Sequence, residues 1–308
     1  MPRTDFVQVE WNEDLVDDCR QLIRLAVRED LGRGLDWTTV ALIPPEQRGR
    51  VAVVARQPGV AAGLKVVDVV IEECQLDAEW LPEMADGSLF SAGDVLGGLR
   101  GSVRDLLTAE RTVLNLLSRL CGVATLTRRY VDEVRDTAVR IYDTRKTTPG
   151  WRRLEKYAVR CGGGWNHRTG LFDAVLIKDN HLAFAGYTRT PSAALDAVRQ
   201  FLCTTEAHYP GLQNLPVEVE VDTLEQLRDV LPHQPDLVLL DNMTPEMLVE
   251  AVRLRNHLAP DTLLEASGGV RLENVRTVAQ TGVDRISVGA LTHQAVAIDV
   301  GFDWQWDG

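Results

Sequence analysis

A chain of 308 residues has room for one large or two ordinary domains, and 45% hydrophobic with 25% charged residues is the composition of a globular protein. A formal net charge of −12 excludes the broad basic face of a general nucleic-acid binder but leaves room for a small anionic substrate. No uninterrupted apolar run approaches the ~20 residues of a membrane span, and the opening MPRTDFVQVEWNED lacks the apolar core of a secretory signal. Five cysteines without a CxxC pair read as scattered reduced thiols, so a cytoplasmic protein without a zinc site is expected.

Residues 12–31 place Leu15, Cys19, Leu22, Ile23, Ala26 and Val27 at helical spacing, and Gly32 and Gly34 stop the helix. LDWTTVALIPP then reads as a loop, with Asp36 able to cap a turn and Pro44–Pro45 breaking any helix. Residues 50–57 alternate like a strand, and VAAGLKVVDVVIEE starts extended and becomes a helix. Residues 89–101 suggest two short strands around a Gly-Asp turn. The set predicts an α+β unit with an antiparallel sheet covered on one face. Residues 104–135 form the longest helical pattern, with Leu106, Leu107, Val113, Leu114, Leu117, Leu120 and Ala124 on its buried stripe. Arg111 projects off that stripe; by itself it is an ordinary solvated cation.

From residue 140 strand-like runs alternate with helical patterns: RIYDT, YAVRCGG, AVLIKD, VEVEVD, LVLLD, LLEASGG and RISVGA. Repeated βα units with apolar strands indicate a parallel sheet, doubly wound or closed into a barrel; seven strands are one short of the standard eight. The tail, AVAIDVGFDWQWDG, is expected to return to the first domain. The predicted division is 1–125 for the N-terminal unit, 126–290 for the barrel and 291–308 for the returning segment.

The stretch from Asp143 to His181 runs against the acidic whole. It holds eight Lys and Arg against four acids, together with His167 and His181. Such a concentration suggests a focused pocket for small anions. Polar residues follow nearly every predicted strand: Asp143, Arg145 and Lys146; His167 and Arg168; Lys178; Glu220 and Asp222; Asp241; Ser267–Gly269; and Gly289. Barrel enzymes assemble their sites from that end of the strands. Arg145, Lys146, Arg168 and Lys178 suit carboxylates and phosphates. Glu220 and Asp241 suit sugar hydroxyls, Mg²⁺ or a developing cation, or pair with the lysines. Gly-rich ASGG and VGA after strands match a phosphate loop, and are also ordinary turns. CGGGWNHR has neither dinucleotide nor P-loop spacing and is read as a tight loop presenting His167 and Arg168.

AERTVLN, DTRKTTPG, EKYAVRCGGGWNHR, VLIKDNH, VEVEVD, LLDNM, EASGG and ISVGALTH occur in this order, with EDLGRGLDWTT upstream. In that ordered set the chain resembles the quinolinate phosphoribosyltransferases. The resemblance implies an N-terminal α/β sandwich plus an incomplete seven-stranded α/β barrel. It implies conversion of quinolinate and 5-phosphoribosyl-1-pyrophosphate to nicotinate mononucleotide, pyrophosphate and CO₂ in NAD synthesis. It also implies Mg²⁺ dependence, and a homodimer that can assemble further into a hexamer of dimers.

Quinolinate-binding residues then map onto Arg145, His167, Arg168 and Lys178, with Arg111 reaching in from the partner. Lys146 and Lys178 map near the pyrophosphate and reacting centre. Glu220 and Asp241 map near the ribose and metal, and Ser267, Gly268, Gly269 and Gly289 onto the 5′-phosphate loops. Trp37 and Met243 depart mildly from the family pattern. A nicotinate phosphoribosyltransferase, a non-catalytic phosphate-binding barrel and a related transferase-like enzyme of molybdenum metabolism are the rival readings. The number of acid-binding cations favours a di-acid over the first, and Lys178, Glu220 and Asp241 together argue against the second.

Overall fold

The structure, a computed structural model, describes residues 5–187 and 190–305. The first four residues of MPRTDFVQVEWNED and the final WDG of the tail lie outside the described residues. Helix α1 (Glu13–Leu31) starts where the Asn12 side chain accepts the Leu15 N–H at 3.0 Å, and ends at Gly32, whose φ is 58°. Helix α2 (Trp37–Leu42) occupies the stretch predicted to be a loop. The Asp36 carboxylate accepts the Thr39 N–H at 3.0 Å and the Thr39 hydroxyl at 2.5 Å, and Pro44 follows only after the helix has ended. The cap therefore starts a full helical turn that the downstream prolines do not prevent.

Strand β1 (Arg48–Ala55) and the short β2 (Gly59–Val60) precede α3 (Val66–Cys74). Strand β3 (Ala78–Pro82) was not predicted; Trp80 is its only buried residue, and AEWLP carries little strand signal. Strands β4 (Leu89–Phe90) and β5 (Val95–Ser102) flank a turn at Gly93, with φ 92°, as expected. Helix α4 (Val103–Glu133) buries Leu106, Leu114, Leu117 and Leu120. Each such leucine contributes about 2–3 kcal/mol of transfer free energy.

The second half contains β6 (Arg140–Tyr142), α5 (Arg152–Cys161), β7 (Val175–Ile177), α6 (Asp179–Ala185), α7 (Pro191–Thr205), β8 (Val217–Val221), α8 (Leu224–Val230), β9 (Leu237–Asp241), α9 (Pro245–Leu258), β10 (Leu263–Ser267), α10 (Val275–Ala279), β11 (Arg285–Ser287), α11 (Ala290–His293) and β12 (Val300–Gln305). Strand order in the parallel sheet is β6-β11-β10-β9-β8-β7. The predicted strand YAVRCGG is instead the end of α5. Its apolar residues Leu154, Ala158 and Val159 are buried at helical spacing, and Gly162 terminates the helix. Only Trp165 joins the sheet there, as an isolated parallel bridge to Tyr142. Among the described residues the barrel thus has six strands and one bridge where seven strands were counted.

An antiparallel sheet of order β12-β1-β5-β3 builds the sandwich, with β12 returning to pair with β1. The two compact units interleave along the chain. One comprises the segment up to Gln8, Arg129–Arg145 and Trp165–Gly289; the other comprises Val9–Arg128, Lys146–Gly164 and the chain from Ala290 onward. A contiguous division at 125 and 290 misses two exchanges. Phe6 packs with Tyr142, Ala174 and Leu237 in the barrel, and α5 packs with α1 in the sandwich. Among the described residues no helix is long and apolar enough to cross a membrane.

Candidate active site

Neighbouring strands of the parallel sheet end, in spatial order, on Lys178 after β7, Glu220 on β8, Asp241 on β9, Ser267 on β10, Gly289 beyond β11 and Asp143 after β6. The period of two then decides what lies beneath. Glu218 shares the face of Glu220, Glu265 that of Ser267, and Arg285 that of Ser287 and Gly289. The barrel interior is therefore tiered: an apolar floor at Phe6, Tyr142 and Leu237, a charged middle, and a polar mouth.

His167 is the hub of the middle tier. Its backbone N–H and the Asn166 side chain donate to the two oxygens of the fully buried Asp143, at 2.9 and 2.7 Å. Its Nδ1 accepts the Arg168 backbone N–H at 2.8 Å, which leaves the proton on Nε2 and directs it to Glu218 Oε2 at 3.0 Å. Glu265 Oε1 lies 3.5 Å from the same nitrogen. A direct bond from His167 to a ligand requires one of the two ring bonds to open.

Burial pushes Glu218 up to about 7, opposed chiefly by Arg285 and Arg168. Burial and the adjacent Glu218 push Glu265 up to about 7 as well. Glu218 Oε1, both Glu265 oxygens, Arg285 Nη1 and Ser287 Oγ are buried without a protein hydrogen-bond partner. His167, Glu218 and Glu265 bring three ligand atoms within 4.8 Å of one another. Arg285 already supplies a fixed positive charge there and the His167 Nε2 proton points at Glu218, so the trio forms the charged middle tier.

Arg168 is buried, and its Nη1 donates to the Ala174 carbonyl at 3.3 Å. Its pKa is lowered first by burial and then by the like charge of Arg145. Two guanidinium groups held within each other's field favour an anion between them. Asp173 fixes the loop beyond by accepting the Thr169 and Gly170 N–H groups at 2.6 and 2.9 Å.

At the mouth, Lys178 Nζ donates to Glu220 Oε2 at 2.5 Å. The Lys178 backbone N–H donates to His181 Nδ1 at 2.9 Å, so the KDNH run caps α6 and pins the lysine. Asp241 accepts from the Asn242 amide at 2.6 Å, and Asn242, at φ 53°, donates its N–H to the Ser267 carbonyl at 2.9 Å. Gly268, at φ 90°, lies against this asparagine: a Cβ would stand 2.2 Å from Asn242 Oδ1. Gly269, at φ 62°, faces open space, and its carbonyl accepts from Asn274 at 3.1 Å. Small residues at positive φ thus form one side of the mouth, a surface suited to close approach of a phosphate.

The barrel unit brings together Arg145, His167, Arg168, Lys178, Glu220, Asp241, Ser267, Gly268, Gly269 and Gly289. Lys146 and Arg111 belong to the other unit. Lys146 is exposed, and its carbonyl accepts the Thr292 hydroxyl at 2.7 Å; Arg111 is exposed on α4. Sequence reading passed over Glu218, Glu265 and Arg285. Their signal was a charge in an apolar strand, in register with a strand-end polar residue.

Residues 36–121 match the family described as quinolinate phosphoribosyl transferase, N-terminal domain, and residues 123–303 its C-terminal domain. The chain is 46% identical to the nicotinate-nucleotide pyrophosphorylase [carboxylating] of Mycobacterium leprae, over 93% of this chain and 97% of that protein. It is 38% identical to the probable enzyme of that name from Bacillus subtilis, over 92% of each. The solved nicotinate-nucleotide pyrophosphorylase of Francisella tularensis superposes with a TM-score of 0.84 at 32% identity, covering 98% of this chain and all of that one. With both domain descriptions matched in order and the fold shared along nearly its whole length, the chain belongs to the quinolinate phosphoribosyl transferase family.

Proposed function

We propose that the cationic side of the barrel mouth takes the two carboxylates of quinolinate and that its acidic, glycine-lined side takes 5-phosphoribosyl-1-pyrophosphate. The chain is a pentosyltransferase: it joins quinolinate to the phosphoribosyl group with decarboxylation, giving nicotinate mononucleotide, pyrophosphate and CO₂ for NAD synthesis. The observation that carries the choice of side is Arg168, buried within the field of Arg145, with Glu218 and Asp173 offsetting only part of what burial and that like charge impose.

Arg145, Arg168 and Lys178 orient the acid so that its ring nitrogen faces the ribose C1, while His167 holds the Arg168 backbone. Orientation of this kind supplies much of the rate. The N–C1 bond forms as the C1–O bond to pyrophosphate breaks, and Glu220 and Asp241 favour the cationic sugar between them. Lys178 takes up charge on the departing pyrophosphate. The bond from C2 to its carboxylate then breaks, its electron pair held beside the quaternised nitrogen until C2 takes a proton from solvent.

Glu220 and Asp241 offer hard oxygens at adjacent strand ends, a donor set that fits Mg²⁺. When bound with pyrophosphate, the ion supplies charge neutralisation of the leaving group. The enzyme is read as a cytoplasmic homodimer in which Arg111 enters the partner's site, with a hexamer of dimers as the next level of assembly. The exposure of Arg111 on α4 supports this reading. Mixing Arg111→Ala with Lys178→Ala should restore about a quarter of the native sites, as random pairing of two complementary subunits allows; no recovery would refute the shared site. The deciding assay is formation of nicotinate mononucleotide and CO₂ from quinolinate, phosphoribosyl pyrophosphate and Mg²⁺, run beside nicotinate. Turnover of nicotinate alone would overturn the assignment.

A further inference from the structure

Asp5, Phe6 and Gln8 stand far from the catalytic motifs in sequence, yet they pack in the barrel unit beneath the loop that carries His167 and Arg168. We propose that this N-terminal segment is a positioning strap for the quinolinate clamp, with Phe6 and Gln8 setting the depth and direction at which Arg168 meets a carboxylate. The inference rests on the placing of Arg168 in that clamp.

One amide secures the loop. Gln8 Nε2 donates to the Asn166 carbonyl at 3.1 Å and Gln8 Oε1 accepts the Asn166 N–H at 2.8 Å, so both backbone groups of Asn166 are held by a single side chain. The same Nε2 donates to the Phe6 carbonyl at 2.9 Å, which folds the strap on itself. The Phe6 ring stacks on the His167 imidazole, with centroids 4.2 Å apart and planes inclined by 29°. That imidazole accepts the Arg168 N–H, so displacement of Phe6 passes through His167 to Arg168.

Asp5 ties down the other end. Its carboxylate accepts from the Tyr142 hydroxyl at 2.9 Å and pairs with Arg285 at 3.1 Å and Arg140 at 3.3 Å. The Arg285 guanidinium in turn lies over the Phe6 and Tyr142 rings, at 5.3 and 4.7 Å. The phosphate loop is held differently, by Asn242 and Asn274. Loosening the strap should therefore act on one substrate and spare the other.

The test is steady-state kinetics of the full chain carrying Gln8→Ala or Phe6→Leu, with both substrates varied. Gln8→Ala should raise KM for quinolinate about tenfold, as expected for loss of the two hydrogen bonds to Asn166, and leave KM for phosphoribosyl pyrophosphate within about twofold. Phe6→Leu should move the same constant, and Phe6→Tyr, which keeps the ring face, should restore it. Val7→Ala, in the same segment but 72% exposed, should change neither. A proportional rise in both KM values, or a lowered unfolding midpoint with both constants unchanged, would mean that the strap is only structural and overturn the inference. Failure of the unmodified chain to convert quinolinate would instead overturn the functional reading on which it rests.

Discussion

The two units bury carboxylates in different company. In the sandwich, Glu155 is fully buried and both its oxygens are bonded. Oε1 accepts from Arg119 Nη2 at 2.6 Å and Nε at 3.1 Å and from the Thr148 hydroxyl at 2.9 Å, while Oε2 accepts the Thr148 N–H at 3.1 Å. Arg119 directs further donors to the Thr292 and Ala295 carbonyls. In the barrel, Glu218 and Glu265 are equally buried, but three of their four oxygens have no protein hydrogen bond, and Arg285 Nη1 has none. A saturated buried charge is a brace. The barrel pair instead gathers around one ring nitrogen, His167 Nε2, at 3.0 and 3.5 Å, beneath a mouth lined with Arg145 and Arg168.

That contrast predicts opposite costs for removing one charge from each unit. Arg168→Ala should reduce kcat/KM for quinolinate by about 100- to 1000-fold, the loss expected for a buried charge-assisted contact. Its unfolding midpoint should fall less than that of Glu155→Ala, because burial and Arg145 work against this guanidinium and Glu218 and Asp173 only partly offset them. Glu155→Ala should do the reverse and lower stability by about 3 kcal/mol, by leaving Arg119 without its counter-charge. Urea unfolding of both variants beside substrate kinetics measures the pair. An unfolded Arg168→Ala protein with a fully stable Glu155→Ala protein would remove the distinction.

Much of the barrel was legible because parallel strands buried on both sides are short, apolar and followed by polar residues. Six of the seven expected strands are present for that reason. YAVRCGG misled because Tyr157, Val159 and Cys161 also alternate, and over seven residues a buried helix and a strand share that texture. The helical register becomes clear only when Leu154 and Ala158 are included. Strand-end residues were legible as a series. The charged tier below was not, because Glu218, Glu265 and Arg285 acquire meaning only when strand register places them around His167. Phe6 and Gln8 were further out of reach: nothing local in DFVQVE marks a segment whose partners lie more than 100 residues away.

The unsaturated tier also predicts a pH dependence. Glu265 rises from its ordinary 4.5 to about 7 in the folded barrel, with burial first and Glu218 next, against His167 and Arg285. Between those values the native chain binds more protons than the unfolded chain. This contribution is therefore fully present below pH 4.5 and is lost as pH rises through about 7. Glu265→Gln should flatten the fall in stability between pH 5 and 8, by on the order of 2 kcal/mol for one buried carboxyl. Unfolding free energies at the two pH values check this. An unchanged slope would mean that Glu265 does not carry the proton retained on folding.

The smallest expected effect separates two adjacent glycines of the phosphate loop. Both have positive φ, so alanine at either costs about 1 kcal/mol of backbone strain. Only at Gly268 does the added Cβ also collide, meeting Asn242 Oδ1 at 2.2 Å and the Asn242 nitrogen at 2.9 Å. Asn242 carries the bond to Ser267 and the contact to Asp241, so the collision moves the loop and the acid together. Gly268→Ala should raise KM for phosphoribosyl pyrophosphate about tenfold, and Gly269→Ala, with open space around it, about two- to threefold. Quinolinate KM should stay nearly constant in both. Equal effects at the two positions would show that backbone strain alone shapes the loop, and that the packing of Gly268 on Asn242 contributes nothing to phosphate binding.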